Sequence, residues 1–456
     1  MKAPPPEVFK AYDIRGLYGD ELDGDGAFQI GRAFVRLIAE RDGRQPSELE
    51  IGLARDMRLT APEMASRFAE GAAAEGARVL DAGMAPTEAL YFLVGDRGLA
   101  GGAAVTASHN PKPYTGVKLV GDGALPLSGD RGIGELRDAI ATGFGPPPGG
   151  GEIDSIEVMD DYRARVTSMI DTARIAPMKL VVDGGNGMAG PMIGPILESL
   201  PLELVELYFT PDGNFPDHEP NPLLEENRRL VCDRVRAEGA ALGIAWDGDA
   251  DRCFFIDENG EFVDGDFLCA LLGQELVRRS GGGEVLYDVR ASRAVRDMVE
   301  AAGGTATVNR VGHAFFKARM RERDAIFGGE VSGHYYFHDF FCADSGAIPA
   351  LLMLELLSVR GQTLGELVAP LRSRYFISGE INSEVDDVDA KLAEIEAAYG
   401  DAEISHLDGL SVDYPDWHFN VRPSNTEPLL RLNLESLVSA EDMEARRDAV
   451  LGMIRS

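Results

Sequence analysis

Three stretches of this chain follow one plan, and that internal repeat limits the fold more than any other feature. They begin at Ile51 ("IGLARDMRLTAPEMASRFAEGAAAEGARVLDAG"), Leu180 ("LVVDGGNGMAGPMIGPILESLPLELVELY") and Val285 ("VLYDVRASRAVRDMVEAAGGTATVNRVG"). Each reads as an apolar strand, a polar loop carrying Asp, a helical pattern and a second strand. Strand-helix-strand alternation of this length is a βαβ unit with a mostly parallel sheet. Each copy continues through a helix-like stretch into another apolar strand: "AGGAAVTA", "ALGIAW" and "DAIFGG". The polar loops "SHNP", "DGDADR" and "EVSGH" follow directly, at the carboxyl ends of strands, where open α/β sheets bind ligands.

At 456 residues the chain is too long for one ordinary core. The Pro/Gly run "GFGPPPGGGEIDS", Gly143 to Ser155, reads as a linker, and a hairpin signal sits at Asn259-Gly260. The expected division is 1–150, 151–256, 257–372 and 373–456: three similar mixed α/β domains, then a smaller α+β domain. The start "MKAPPPEVFK" has no apolar signal core, and no run of 18 apolar residues occurs, so the expectation is a cytoplasmic protein without a membrane span. Cys232, Cys253, Cys269 and Cys342 show no CxxC spacing and read as reduced thiols.

A formal net charge of −32 argues against a nucleic-acid partner, which needs a basic footprint. It also repels an anionic substrate unless basic groups gather locally. Lysines are few, so a lysine inside a motif, such as Lys118 or Lys317, stands out; Lys317 by itself reads as a solvated helix residue.

"DGDADR" presents Asp247, Asp249 and Asp251 at i, i+2 and i+4. In an extended loop that spacing puts three carboxylates on one side, and an oxygen-only set suits Mg²⁺. An EF-hand would need Gly where Arg252 stands and a helix where "ALGIAW" reads as a strand; a solvated acidic turn is the other rival. "RPSNTEP", with Arg422, Ser424, Asn425 and Thr426, is dense in donors and suits a phosphate group, or is an ordinary turn. "GGEVSGH" places Glu330 and Ser332 on one side of a loop, apt for sugar hydroxyls, with His334 following, or is a Gly-rich turn with a surface Glu. His313 in "RVGHAFFK" fits a buried structural histidine as well as a site, and Tyr12 and Arg15 share the polar loop "AYDIRG". In "VTASHNPKPYTGVK", Ser108 and His109 are adjacent, and neighbours in an extended chain point opposite ways, so the pair is a poor nucleophile-base couple.

Taken together, "TASHNP", "DGDADR", "GEVSGH" and "RPSNTEP", in that order over nearly the whole chain, resemble the α-D-phosphohexomutase family. The "YDIRG" opening looks most like its phosphomannomutase/phosphoglucomutase branch; the phosphoglucosamine branch usually opens differently. The resemblance implies four domains around a central cleft. It implies that Ser108 carries a phosphoryl group and that Asp247, Asp249 and Asp251 hold one Mg²⁺ together with a phosphoserine oxygen. It also implies that Glu330 and Ser332 bind the sugar, and that Arg422, Ser424, Asn425 and Thr426 bind the phosphate that is not reacting. Arg15, Lys118, Arg252, His313 and His334 align with residues of the reaction centre. Arg290 stands where the branch often has Lys, and Arg cannot readily act as a base.

The expected reaction interconverts hexose 1- and 6-phosphates of mannose or glucose. Phosphoserine 108 is the donor, and a hexose 1,6-bisphosphate is both intermediate and activator. Lys118 is the expected acid or base, its pKa lowered by burial near Arg15 and Arg252, with His334 or His313 as alternatives. His109 is expected to shape the loop or touch phosphate. Arg15, Lys118, Arg252, Arg290, Lys317 and Arg422 would then form one basic cleft. A phosphoglucosamine mutase, a metal-dependent sugar phosphatase and a catalytically dead sugar-phosphate sensor are the rival readings. A monomer is expected, with a dimer the alternative.

Overall fold

Two glycines set the packing around the first sheet. The helices Gly24–Asp42 and Ala61–Ala74 cross so closely that a Cβ on Gly31 would lie 2.2 Å from the Phe68 carbonyl, and one on Gly71 2.1 Å from that of Phe28. Only glycine permits that approach. Around the crossing, Phe34, Phe68, Ile30 and Met64 are fully buried against Leu53 and Val105 of the sheet. The first helix is closed at its start by the Asp23 side chain, which accepts from Gly26 N, and at its end by Gly43 in the left-handed conformation.

The computed structural model describes residues 3–129, 131–423 and 429–456. It divides into two units. The first holds residues up to Phe262 together with Ser332–Thr363, and the second holds Val263–Val331 and Leu364–Ser456. The strands of the third repeat lie in the second unit, and the segment 257–372 is divided between the two.

In the first unit, a six-stranded sheet runs in the order Ile14–Leu17, Tyr114–Gly121, Gly101–Val105, Glu50–Arg55, Arg78–Met84, Ile153–Ser155. Its last four strands are parallel, and the first two are antiparallel additions at one edge. A second sheet places Leu242–Trp246 beside Met178–Asp183 and the latter beside Leu202–Leu207, all parallel, with Cys253–Ile256 antiparallel on the other side of Leu242–Trp246. Both sheets are thus parallel in the middle with an antiparallel edge. The turn after Ile256 is the expected one: Gly260 has φ 71°, and the Asp257 carboxylate accepts from Asn259 N and Glu261 N. The hairpin of Tyr335–Phe337 with Ala343–Asp344 and the buried helix Ala347–Arg360 complete this unit.

In the second unit, Glu284–Asp288 lies between Thr305–Asn309 and Phe327–Gly329, all parallel. The C-terminal part is antiparallel: Leu429–Ser436 pairs with Trp417–Pro423, which pairs with Leu410–Asp413 and then Glu403–Ser405. The helices Val388–Ala398 and Ala440–Ile454 accompany it, and Ile395, Val450 and Ile454 share a core with Phe419 and Leu432. Among the described residues no single helix is long and apolar enough to cross a membrane. All four cysteines are free.

Candidate active site

Ser108 follows the strand Gly101–Val105, and Asp247 follows Leu242–Trp246: two carboxyl ends of parallel strands in the first unit. The Ser108 hydroxyl donates to Asp247 Oδ2 at 2.7 Å, although 139 positions separate them. The two loops fit because residue 248 is glycine; a Cβ there would sit 2.5 Å from the Ser108 carbonyl oxygen.

The "DGDADR" segment is a tight turn, not the extended loop its spacing suggested. Ala250 takes φ 63°, in the left-handed region. The turn nevertheless brings carboxylate oxygens of Asp247, Asp249 and Asp251 within 4.8 Å of one another, all three residues being buried. Two cations face them. Arg252 donates through Nε and Nη2 to Asp247 Oδ2 at 3.0 and 2.7 Å. Lys118, on the strand Tyr114–Gly121, donates to Asp249 Oδ2 at 2.7 Å and Asp251 Oδ2 at 2.5 Å.

The donor set fits a divalent cation. Asp249 Oδ1 and Asp251 Oδ1 are buried with no hydrogen-bond partner, a costly state for carboxylate oxygens unless something positive meets them. The electrostatics agree. Burial, then the neighbouring Asp249, pushes the Asp251 carboxyl up to about 6, whereas Asp249, also buried, is held well below the carboxylate range by Lys118.

Lys118 departs from expectation. Burial would lower its pKa, but Asp249 and Asp251 outweigh burial and raise it well above the ordinary lysine value. It is an ammonium bound to two carboxylates, and its shift is opposite to the expected one.

Ser108 and His109 also differ from the extended-chain picture. Ser108 has φ 47°, which turns the two side chains together, with Oγ 3.3 Å from His109 Nδ1. Burial, Arg252 and Arg15 hold the His109 imidazole well below its ordinary pKa, so it is neutral. Arg15 comes from the adjoining strand Ile14–Leu17, and its guanidinium donates to Asn110 Oδ1 and Asp13 Oδ2. Tyr12 is half-buried just before it. His334 is drawn in by an antiparallel bridge to Arg252; its Nδ1 lies 3.3 Å from Asp344 Oδ2 and 3.9 Å from Asp251 Oδ1. Ser332 lies in the half-buried turn ahead of it.

Three contributors escaped the motif reading. Arg58 is buried beneath the serine loop and donates to the carbonyls of Ser108, Asn110, Pro111 and Tyr114 at 2.7, 2.6, 3.1 and 3.2 Å. Thr87 donates to Asp249 Oδ2 at 2.6 Å. Asp344 partners His334. Their only sequence signal is a polar residue just past an apolar strand or at a helix start, which is common and unspecific.

The second unit carries the other candidates. Arg290 grips Asp288 through two bonds of 2.9 Å and reaches Glu380 at 3.4 Å. Arg422 and Arg431 also donate to Glu380, at 3.0 and 3.1 Å. Burial would raise the Glu380 pKa, but Arg290, Arg422 and Arg431 together lower it. Three guanidiniums thus converge on Glu380, with Asp288 also holding Arg290, and such planar multi-donor groups are suited to binding an oxyanion. Glu330 is buried and accepts from Gly312 N at 2.7 Å, at the start of the helix His313–Arg323. His313 is half-buried there, and Lys317, expected at the solvated face, is fully buried. Ser424, Asn425 and Thr426 lie outside the described residues.

Comparison with known proteins agrees with the motif order. Family profiles described as phosphoglucomutase/phosphomannomutase match in four parts: alpha/beta/alpha domain I over residues 6–143, domain II over 160–260, domain III over 264–375 and the C-terminal domain over 380–453. A protein named "Phosphohexose mutases" from Xanthomonas campestris pv. campestris is 43% identical over 452 residues, covering 98% of this chain and 99% of that protein. A phosphomannomutase from Escherichia coli K12 is 41% identical, covering 98% of each chain. The crystal structure of a phosphoglucomutase/phosphomannomutase family protein from Burkholderia thailandensis superposes with TM-score 0.88 at 34% identity, covering 99% of this chain and 97% of that one.

Proposed function

The chain belongs to the phosphoglucomutase/phosphomannomutase family and is a phosphohexomutase, an isomerase of carbohydrate metabolism, and on that footing we propose that it interconverts hexose 1- and 6-phosphates of mannose or glucose through a phosphoserine at Ser108. One observation carries the reading. The Ser108 hydroxyl is 2.7 Å from Asp247 in a buried cluster that also holds Asp249, Asp251, Lys118 and Arg252.

Phosphoserine 108 donates its phosphoryl group to a sugar hydroxyl. The Oγ–P bond breaks, a new P–O bond forms at the sugar, and the hydroxyl proton leaves to a base. The resulting 1,6-bisphosphate reorients, its other P–O bond breaks, that phosphoryl returns to Ser108 Oγ, and the base gives its proton back to the freed sugar oxygen. Asp247, Asp249 and Asp251 would hold Mg²⁺, which when bound offsets the charge of the phosphoryl oxygens. Lys118 and Arg252 contribute fixed positive charge where negative charge develops.

We assign the proton to His334, at the ring nitrogen away from Asp344, because the nearby Asp344 carboxylate supports an imidazolium. Lys118, held protonated by its two aspartates, fits the role less well. Arg422 and Arg290 would take the phosphate that is not reacting, with Ser424, Asn425 and Thr426 beside it in sequence, and Glu330 and Ser332 the sugar hydroxyls. His109, neutral beside Oγ, would shape the serine loop.

A substrate panel tests the proposal: glucose, mannose and glucosamine 1-phosphates with Mg²⁺ and a trace of the matching 1,6-bisphosphate, followed by ³¹P NMR. Isomerisation of the mannose or glucose compound is expected. Failure of both, or release of inorganic phosphate alone, overturns it.

A further inference from the structure

Asp249 Oδ2 accepts two hydrogen bonds, one from Lys118 Nζ at 2.7 Å and one from Thr87 Oγ1 at 2.6 Å, while Asp249 Oδ1, equally buried, accepts none. The two oxygens of one carboxylate are thus divided between protein donors and an open position. Lys118 alone cannot enforce that division. It is a rotatable ammonium on a flexible stem, and it is shared with Asp251.

Thr87 can. Its β-branched side chain has few rotamers, it is 2% exposed, and it starts the helix Thr87–Arg97, whose residues through Val94 are all buried. The preceding Pro86 has φ −65° and ψ 157°, so the backbone entering the helix is also constrained. The hydroxyl is therefore a rigid donor aimed at one oxygen from 162 positions away.

We propose that Thr87 is a positioning residue for the cation site: by occupying Oδ2 it holds the Asp249 carboxylate in the rotation that presents Oδ1 to the metal. This rests on the reading of Asp247, Asp249 and Asp251 as ligands. Groups standing behind metal ligands in this way typically change affinity by about 10- to 100-fold when removed.

The test is Mn²⁺ binding to the full-length, unphosphorylated protein, followed by the electron paramagnetic resonance signal of free Mn²⁺, with no substrate and no turnover. Thr87→Val keeps the shape and removes the donor; about a tenfold weaker Mn²⁺ affinity is expected. Thr87→Ser restores the donor and is expected to bind within about twofold of wild type. Thr87→Ala replaces the valine variant if near-ultraviolet circular dichroism shows that the latter does not fold. Wild-type affinity in the donor-less variant overturns the proposal, as does an equal loss in Thr87→Ser, which would assign the effect to packing. Failure of the wild-type protein itself to bind Mn²⁺ overturns the ligand reading and the proposal with it, and shows in the wild-type titration alone.

Discussion

Arg58 Nη2 donates to the backbone carbonyl of Ser108 at 2.7 Å, so the loop bearing the proposed phosphoryl carrier is clamped from beneath by a buried guanidinium. The same side chain spans three further carbonyls of the loop, a reach that needs the planar fork of arginine. Arg58→Lys keeps the charge and loses the fork. It is expected to lower kcat roughly 10- to 100-fold through a misplaced Ser108, with the melting temperature also reduced. Steady-state kinetics and a thermal melt on one preparation check both.

Ser108→Ala removes only an oxygen from a loop held by Arg58 and by the close approach of Gly248. Turnover is expected to fall by at least ~10³-fold, with an unchanged melting temperature, and mass spectrometry is expected to find no phosphoryl group retained at position 108. Near-normal activity would remove the phosphoserine from the mechanism.

Glu380 engages Arg290 and Arg422, the groups proposed to meet the distal phosphate, and also Arg431. It is partly exposed, with 28% of its side chain accessible, so its loss costs little in folding. Glu380→Gln leaves the three guanidiniums less neutralised, and KM for the hexose phosphate is expected to fall about threefold with kcat little changed. A raised KM would show that Glu380 orients the arginines instead of competing for them.

Glu88 is fully buried beside Gly346 N and Ala347 N, at 3.2 and 3.3 Å, and burial pushes its carboxyl from 4.5 up to about 8. Between those values the folded protein keeps a proton that the unfolded chain has lost, so stability falls as pH rises through this window and levels off above it. Each pH unit costs about 1.4 kcal/mol. Glu88→Gln removes this slope. Relative to wild type, its urea midpoint is therefore expected to improve steadily from pH 5 to pH 8. A difference independent of pH would mean that Glu88 ionises in the fold as it does in water.

The sequence alone determined the repeating βαβ plan, the placing of Ser108 and of the Asp247–Asp251 run just beyond strand ends, and the family that this order of motifs resembles. Those features are local: alternation, turn residues and spacing are read along the chain, and the strands that carry them form where hydrophobic pattern demands. Tertiary structure decided the rest. Asp247 meets Ser108, Lys118 meets Asp249 and Thr87 meets Asp249 across 139, 131 and 162 positions, and no periodicity within either segment encodes those pairings. Lys118 has a pKa shift opposite in direction to the expected one for the same reason. Its pKa is set by which groups surround it after packing, and the chain folds aspartates against it where the sequence suggested arginines. Backbone conformation completes the division: a φ of 47° at Ser108 and 63° at Ala250 aims the site's side chains, and such angles are imposed by neighbouring loops instead of by residue type.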